Sequence, residues 1–216
     1  MDIIKTRFEE HIALAQLVAQ SEIMQQVADA AAIIKKALAG GHKVLFCGNG
    51  GSAADCEHIS GELLKGFRLK RPVPADDAAA LTRLYGDAGK RLASLLQQGL
   101  AATPLASMTS LSTAVINDTD AEMIYAQQVY AAGRPGDVLL GISTSGNAAN
   151  VCQAARVAKA FSMRTVGMTG AGGGTLHTLC DVTIRVPETE VYRIQEYHLP
   201  VYHCLCAMLE LEFFGQ

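Results

Sequence analysis

The chain lacks the features that would place it in a membrane or on nucleic acid. No apolar run in its 216 residues approaches the roughly 18–20 residues that cross a bilayer. Only 18% of the residues are charged, the formal net charge is −3, and the lysines and arginines are scattered, so no nucleic-acid partner is expected. The first residues are charged and amphipathic, unlike a signal peptide. We therefore expect a cytoplasmic protein with no membrane partner.

Paired cysteines are also missing. No Cys-x-x-Cys pair occurs among the six cysteines, and Cys204 and Cys206 fall in a strongly apolar helical pattern. This composition indicates buried, reduced thiols and not a cysteine zinc site. The chain has no repeat and no low-complexity tail. Half of its residues are hydrophobic, so we predict one α/β domain with a sizeable core over residues 1–216.

Strand-like and helix-like patterns alternate from residue 43 onward. The strand-like segments are continuous apolar runs, which are typical of a parallel sheet covered by helices on both faces. We therefore predict a three-layer α/β fold. The expected strands are 43–47, 105–109, 137–142, 164–169 and 181–186. The expected helices are 52–66, 110–116, 121–132, 148–161, 173–179 and 192–213.

Two further helical patterns, 2–19 and 22–39, precede the sheet. Ser21 is a suitable N-cap for the second, and Gly40-Gly41 is a suitable C-terminal stop. The apolar positions of this N-terminal helix pair exceed what one small sheet can cover. Two interpretations remain open on these grounds, since the pair can be part of the core or form an oligomer surface.

Residues 72–104 interrupt the alternation of strands and helices. Structureless loops of this length are rare in compact domains, and leucines recur here at helix-like spacing, broken by Gly86 and Gly89. We predict a helical insertion over about 73–103. It could cover the active site, extend an interface or be a neutral surface feature. The leucines are Leu81, Leu84, Leu92, Leu95, Leu96 and Leu100.

Two segments have the order strand, tight turn, helix. Gly48-Asn49-Gly50-Gly51 precedes Ser52, and Ser143-Thr144-Ser145-Gly146-Asn147 precedes a second helical stretch. A helix N-terminus has unpaired N–H groups and favours an anion, and nearby hydroxyls can hold a phosphate. Each turn alone could be ordinary capping chemistry. Two such turns in one parallel sheet would lie together at the carboxyl ends of strands, where ligands bind.

Polar residues on two predicted helices are candidates for chemistry. His58 and Glu62 are four residues apart, so they share a helix face. That spacing can place an imidazole and a carboxylate on one metal, although such a pair is more often a surface contact. Gln195 and His203 are eight apart, which separates them by roughly 80° and about 12 Å on a helix. Spacing alone does not pair them.

These motifs resemble those of the sugar isomerase (SIS) domain, and most closely those of the phosphoheptose isomerases, that is, the sedoheptulose 7-phosphate isomerases. The resemblance covers nearly the whole chain apart from a stretch near residues 75–99. It implies a flavodoxin-like SIS fold in which residues 1–41 form the core of a homotetramer. The segments that carry it are 47–52, 141–147, 58–62, Asn117-Asp118 and 193–198 followed by His203.

The resemblance also implies an activity and a site. The reaction would convert sedoheptulose 7-phosphate to D-glycero-D-manno-heptose 7-phosphate through an enediolate, with Glu62 and His203 as the catalytic acid–base residues. One Zn²⁺ per subunit would be held by His58, Glu62, Gln195 and His203. The implied substrate-binding residues are Asn49, Gly50, Gly51, Ser52, Asp118, Ser143, Thr144, Ser145 and Gln195.

Several positions differ from the family's pattern, so the resemblance does not determine which sugar is the substrate. Ala148 stands where the family commonly has a third serine, and Gly66 stands where it has an arginine, for which Lys65 or Arg68 could substitute. Tyr192 replaces an aspartate. Two non-catalytic alternatives are a SIS protein that binds the replication initiator DnaA and a module that senses a sugar phosphate. The presence of Glu62 and His203 favours the isomerase, because a binding module does not need them.

Overall fold

Five short parallel strands form the centre of the fold. The structure is a computed structural model that describes residues 2–215, so the two terminal residues of the predicted domain lie outside the described residues. The strands are β1 (Val44–Gly48), β2 (Ala102–Pro104), β3 (Val138–Ile142), β4 (Arg164–Thr169) and β5 (Val182–Arg185). The helices are α1 (Asp2–Gln20), α2 (Ile23–Ala39), α3 (Gly51–Leu64), α4 (Ala75–Tyr85), α5 (Asp87–Leu95), α6 (Thr109–Asp118), α7 (Ile124–Ala132), α8 (Ala149–Ala160), α9 (Gly174–Leu179) and α10 (Val191–Phe214).

The strand order β2-β1-β3-β4-β5 places β1 and β3 side by side near the middle of the sheet. Gly48 at the end of β1 lies opposite Ile142 at the end of β3. The chain leaves β1 over one face of the sheet and leaves β3 over the other. In open parallel sheets this change of direction opens a crevice at the carboxyl ends of the two strands.

Helices cover both faces, as the continuous apolar strands predicted. Val44 and Phe46 of β1 belong to a core with α2, α3 and α10. Leu45 of the same strand points the other way and packs with α7, α8 and α9. Alternate residues of a strand therefore belong to two separate hydrophobic cores, one on each face of the sheet. The predicted three-layer α/β fold is confirmed.

The position of the second strand was predicted wrongly. The strand was expected at 105–109, but β2 is Ala102–Pro104, and Leu105–Ser107 form a 3₁₀ turn. Pro104 ends the ladder opposite Phe46. Leu105 is still only 1% exposed, because the turn buries it against the sheet. An apolar run cannot by itself distinguish a strand from a buried turn.

The predicted N-terminal helix pair is present, but its two members differ in burial. Helix α2 packs one face on the sheet, and it ends at Gly40 as expected. Its N-cap is Glu22 and not Ser21 as predicted, although the Ser21 hydroxyl accepts the N–H of Ile23 at 3.4 Å. Helix α1 has one buried residue, Leu14, whereas Phe8 remains 67% exposed. In a single chain, α1 thus leaves most of its apolar surface uncovered.

The predicted helical insertion consists of α4 and α5, which pack against each other as an antiparallel pair that we call the α4–α5 hairpin. The turn between them is made by Gly86, whose φ of 56° suits glycine. Gly89 lies against the Leu81 carbonyl, where any Cβ would collide. Of the hairpin's residues only Gly89 is buried; Leu84, Leu92 and Leu95 are exposed, and Leu81 is half-buried.

The cysteines are free within the described part of the chain. Cys47, Cys56, Cys152 and Cys206 are buried, as predicted, whereas Cys180 is half-buried and the prediction is wrong for Cys204, which is exposed. No helix within residues 2–215 has the length and apolar character needed to cross a membrane.

Candidate functional site

The two predicted phosphate turns meet in one cleft at the carboxyl ends of β1 and β3. The cleft has a volume of about 330 Å³. Among residues 2–215 no lysine or arginine lines it, so an anion there would be held by N–H groups and hydroxyls. Its lining residues are Asn49, Gly50, Gly51, Ser52, Ile142, Ser143, Thr144, Ser145, Ala148, Val191 and Gln195.

Glycines shape the first turn for close approach of a ligand. Gly50 has a φ of 55°, which lets the chain reverse into α3 at Gly51. A Cβ on Gly48 would lie 2.8 Å from the Ser52 carbonyl oxygen, and one on Gly51 would lie 2.7 Å from Gln195 Nε2. The start of α3 is therefore packed from both sides, and its backbone faces the cleft.

Hydroxyl groups line the second turn. Ser143 Oγ accepts the N–H of Ala148 at 3.3 Å, and Ser145 Oγ accepts the N–H of Asn147 at 3.1 Å. Within residues 2–215, neither these two hydroxyls nor those of Ser52 and Thr144 donate a hydrogen bond to another protein atom. Their protons can therefore be directed to a bound anion.

Side-chain hydrogen bonds, two of them from residues outside the motifs, hold the two turns together. The amides of Asn49 and Asn150 donate to each other's carbonyl oxygens, at 2.9 Å in both directions. The Tyr125 hydroxyl donates to the Gly48 carbonyl. Sequence reasoning missed Asn150 and Tyr125, because neither lies in a turn motif. The spacing between the two turns is thus set before any ligand binds.

A second group of polar residues lies between α3 and α10. Gly51 at the start of α3 lies against Gln195. Further along, His58 contacts Tyr202, so the two helices run side by side in the same direction. His58 Nε2 is 3.2 Å from Glu62 Oε1, and the His58 ring centroid is 5.1 Å from that of His203. We call His58, Glu62 and His203 the acid–base cluster.

The surroundings of the cluster favour a neutral His203. Burial is the main cause that lowers its pKa, neighbouring His58 adds to it, and Glu62 opposes it. His203 Nε2 is buried and has no hydrogen-bond partner in the described part of the chain. The Tyr202 hydroxyl lies 2.9 Å from His58 Nδ1 and 3.3 Å from Asp55 Oδ1, which orients the His58 ring. Burial raises the pKa of Asp55.

The structure does not bring the four predicted metal ligands together. Gln195 lies against Gly51, which precedes His58 by seven residues, or about 10 Å along α3. Across residues 2–215, no three His, Cys, Asp or Glu side chains are arranged as a ready metal site. The donor types of the acid–base cluster nevertheless suit zinc, and the unpartnered His203 Nε2 is a free ligand atom. The cluster therefore fits the metal in chemistry, while Gln195 stands apart from it.

Three further residues lie outside both groups. Asp118 ends α6, is exposed and accepts a hydrogen bond from the Asn117 amide at 2.9 Å, away from the residues that line the cleft. Its contact with a sugar stays a prediction. Of the two substitutes for the family arginine, Lys65 lies near the cluster, with Nζ 3.5 Å from Glu62 Oε2. His198 is fully buried, with Nε2 3.4 Å from the Thr169 carbonyl oxygen, as a structural histidine would be.

Comparison with known protein families identifies the class of domain to which this chain belongs. The model of the SIS domain family matches residues 7–91 and 78–170. The two matches overlap inside the α4–α5 hairpin. The chain is thus a SIS-domain protein, with a parallel sheet and a two-turn cleft at the β1/β3 crevice.

The relatives narrow this class to one family. A phosphoheptose isomerase from Rhodospirillum rubrum is 41% identical over 184 residues, which cover 85% of this chain and 84% of that protein. A phosphoheptose isomerase structure from Neisseria gonorrhoeae has a TM-score of 0.78 at 32% identity and covers 97% of both chains. One from Francisella tularensis has a TM-score of 0.81 at 31% identity and covers 96% of both. The chain belongs to the phosphoheptose isomerase family, and the family predicted from its motifs is confirmed.

Proposed function

We propose that this protein is an aldose–ketose isomerase that converts sedoheptulose 7-phosphate to D-glycero-D-manno-heptose 7-phosphate. One observation carries the proposal: a cationless anion cleft and an acid–base cluster lie at successive positions along the same helix, α3. Ser52 of the cleft is on its first turn, and His58 and Glu62 are on later turns. A single bound molecule can therefore place its phosphate at one end and its reacting carbons at the other.

The separation of the two groups supports a long sugar. Ser52 and Glu62 are ten residues apart, which is about 15 Å along α3. Side chains lean toward the N-terminus of a helix, so the atoms that meet the substrate are closer than that. This gap suits an extended sugar with its phosphate and its carbonyl at opposite ends. A three-carbon phosphate would need the acid–base residues beside the phosphate turn.

The reaction needs one proton to move between neighbouring carbons. A base takes a proton from the hydroxymethyl carbon next to the ketone, and the C–H electrons form the double bond of an enediolate. Return of a proton to the former carbonyl carbon, with a hydroxyl proton passing between the two oxygens, leaves an aldehyde at the chain end. The carboxylate of Glu62 and the neutral imidazole of His203 both adjoin His58 and supply the acid–base pair.

Zinc is the proposed cofactor of this site. His58, Glu62 and His203 would hold it, whereas Gln195, the fourth ligand in the family, lies against Gly51 in this structure. When bound, zinc would polarise the substrate carbonyl and stabilise the negative charge of the intermediate. Elemental analysis of purified protein should find about one zinc per chain, and a chelator should lower activity reversibly. Full activity with no detectable metal would contradict the zinc assignment and leave Glu62 and His203 as simple acid–base residues.

The proposed working form is a cytoplasmic homotetramer. Exposed apolar residues on α1, among them Phe8 and Ile12, support association of subunits, since a solvated helix gains nothing from them. An apolar groove between α1, α2 and α10 includes exposed Cys204 and continues this surface. Association of subunits over this groove would bury the Cys204 thiol.

A substrate panel tests the proposed function. Purified protein is incubated with ketose phosphates of five, six and seven carbons, with and without added zinc, and aldose formation is measured. Sedoheptulose 7-phosphate should have the highest kcat/KM. Turnover of a shorter ketose phosphate alone would correct the substrate, and binding of sugar phosphates without any turnover would make the chain a sensing module.

The variant Glu62→Gln tests the assignment of the acid–base pair. Glutamine has nearly the same volume but cannot accept the proton, so turnover should be lost while the fold and sugar-phosphate binding remain. The control is Glu57→Gln, at an exposed position on the same helix. Turnover of Glu62→Gln near the wild-type rate would remove Glu62 from the chemistry.

A further inference from the structure

A buried ion pair lies beside the acid–base cluster. Arg71 follows α3 in the chain and Glu210 lies near the end of α10, and their side chains are 0% and 1% exposed. Arg71 Nη2 is 2.9 Å from Glu210 Oε1. Removing two charges from water is costly, so a buried ion pair is by itself weak evidence for stability. The other contacts of these two residues show what the pair does.

Glu210 binds the backbone turn that follows α3. Its carboxylate accepts the N–H groups of Phe67 and Arg68 at 2.8 Å each and that of Leu69 at 3.1 Å. It also accepts Arg71 Nε at 3.0 Å. Burial would raise the pKa of Glu210, but these donors outweigh it and lower that pKa, so the carboxylate is ionised. One side chain of α10 thereby holds three consecutive amides at the end of α3.

Arg71 binds the last turn of α3 from the other side. Its Nη1 donates to the Leu63 carbonyl at 2.7 Å, and its Nη2 donates to the Glu62 carbonyl at 3.1 Å. Carbonyls at a helix C-terminus lack helical partners, so this guanidinium caps the helix. The planar fork lets one group reach two carbonyls and a carboxylate at once, which a lysine cannot do.

The ion pair thus contacts one catalytic residue directly and reaches the other through Phe67. Arg71 binds the backbone of Glu62 itself. Glu210 holds the N–H of Phe67, whose ring packs on that of His203 with centroids 5.3 Å apart. We infer that Arg71 and Glu210 are positioning residues that hold Glu62 of α3 and His203 of α10 at the spacing that proton transfer needs. This inference rests on the proposed function.

Three variants and one matched control test the inference. Glu210→Gln removes the negative charge that accepts hydrogen bonds from the three backbone N–H groups. Arg71→Lys keeps the charge but loses the fork, and Phe67→Leu removes the ring from His203 while it leaves the ion pair in place. The control is Asp137→Asn. Asp137 is 2% exposed, pairs with Lys43 Nζ at 2.6 Å and lies at the amino ends of the strands, far from the cluster.

The expected result is a split between kcat and KM. In Arg71→Lys and Glu210→Gln, kcat should fall by roughly 100-fold, because a displacement of about 1 Å can cost a reaction that much. KM should stay within about twofold, since the phosphate cleft lies at the other end of α3. The fall in kcat should be smaller in Phe67→Leu. Asp137→Asn should lower the midpoint of thermal unfolding and keep the wild-type kcat, with every variant assayed at a temperature where circular dichroism shows it folded.

Two outcomes would overturn the inference. One is a wild-type kcat in folded Arg71→Lys or Phe67→Leu, and the other is an equal loss of kcat in Asp137→Asn, which would make the effect one of general stability. An inactive wild-type protein would instead refute the proposed function. In that case crystal structures of Arg71→Lys and the wild type decide: a changed distance between Glu62 and His203 supports the positioning role, and an unchanged distance removes it.

Discussion

The second turn offers a quantitative test of phosphate binding. Thr144 is half-buried, and within the described chain its hydroxyl bonds to no protein atom, so Thr144→Val removes a donor and leaves no protein group unpaired. Ser145→Ala frees only the exposed N–H of Asn147, which water can satisfy. A hydrogen bond to a charged group contributes roughly 1.5–3 kcal/mol, so each variant should raise KM by about 10- to 150-fold.

The assay is steady-state isomerisation of sedoheptulose 7-phosphate, with inorganic phosphate as a competitive inhibitor. Both KM and the inhibition constant of phosphate should rise together, while kcat stays near the wild-type value, because the phosphate is bound equally in the ground and transition states. Ser94→Ala is the control, since that hydroxyl bonds only to the Arg91 carbonyl within α5. An unchanged KM in the double variant Thr144→Val/Ser145→Ala would show that the phosphate binds elsewhere. A lower kcat at constant KM would place the reacting carbons at this turn.

The remaining predictions concern stability, metal and assembly. Burial lowers the pKa of His198 to about 4, whereas an unfolded histidine titrates near 6.5, so the unfolded chain binds the extra proton and stability falls as the pH drops from 7 toward 4. Between pH 7 and pH 5 this costs about 2 kcal/mol, and denaturant unfolding of His198→Gln should lack that part of the decline; an equal decline in both proteins would refute it. Excess zinc should restore part of the activity of His58→Ala but none of that of His203→Ala, which also loses an acid–base group. Light scattering at micromolar concentration should give the mass of four chains, and a monomer would contradict the proposed assembly.

Local patterns predicted most of the fold because most elements here are marked by local chemistry. Gly40-Gly41 ends α2, and continuous apolar runs mark β1, β3 and β4, since both faces of each strand are covered. The wrong position predicted for β2 also comes from relying on local patterns. Three residues ending in a proline are too short to show a period, and the neighbouring Leu105 is as buried in a turn as it would be in a strand.

The parts of the site whose residues are adjacent in the sequence were predictable. Those formed by residues far apart in the sequence were not. The glycine turn and the Ser143–Ser145 hydroxyls each occupy a few adjacent residues. A single short motif is therefore enough to predict each of them. The pairing of Asn49 with Asn150 spans 101 residues, and that of Arg71 with Glu210 spans 139. Such pairs depend on how α3, α8 and α10 are rotated about their axes, and no local pattern encodes that rotation.

The α4–α5 hairpin leaves the domain and returns to it at the same place. Pro72 and Gln97 form an antiparallel bridge, and the Gln98 N–H donates to the Arg71 carbonyl at 2.8 Å. The two ends stay in contact whatever lies between them, so the length of the intervening chain is independent of the domain beneath. A joint of this kind tolerates deletion or exchange of its contents. Evolution can extend the chain there, and a fluorescent reporter can be grafted there, without altering the path of a single strand.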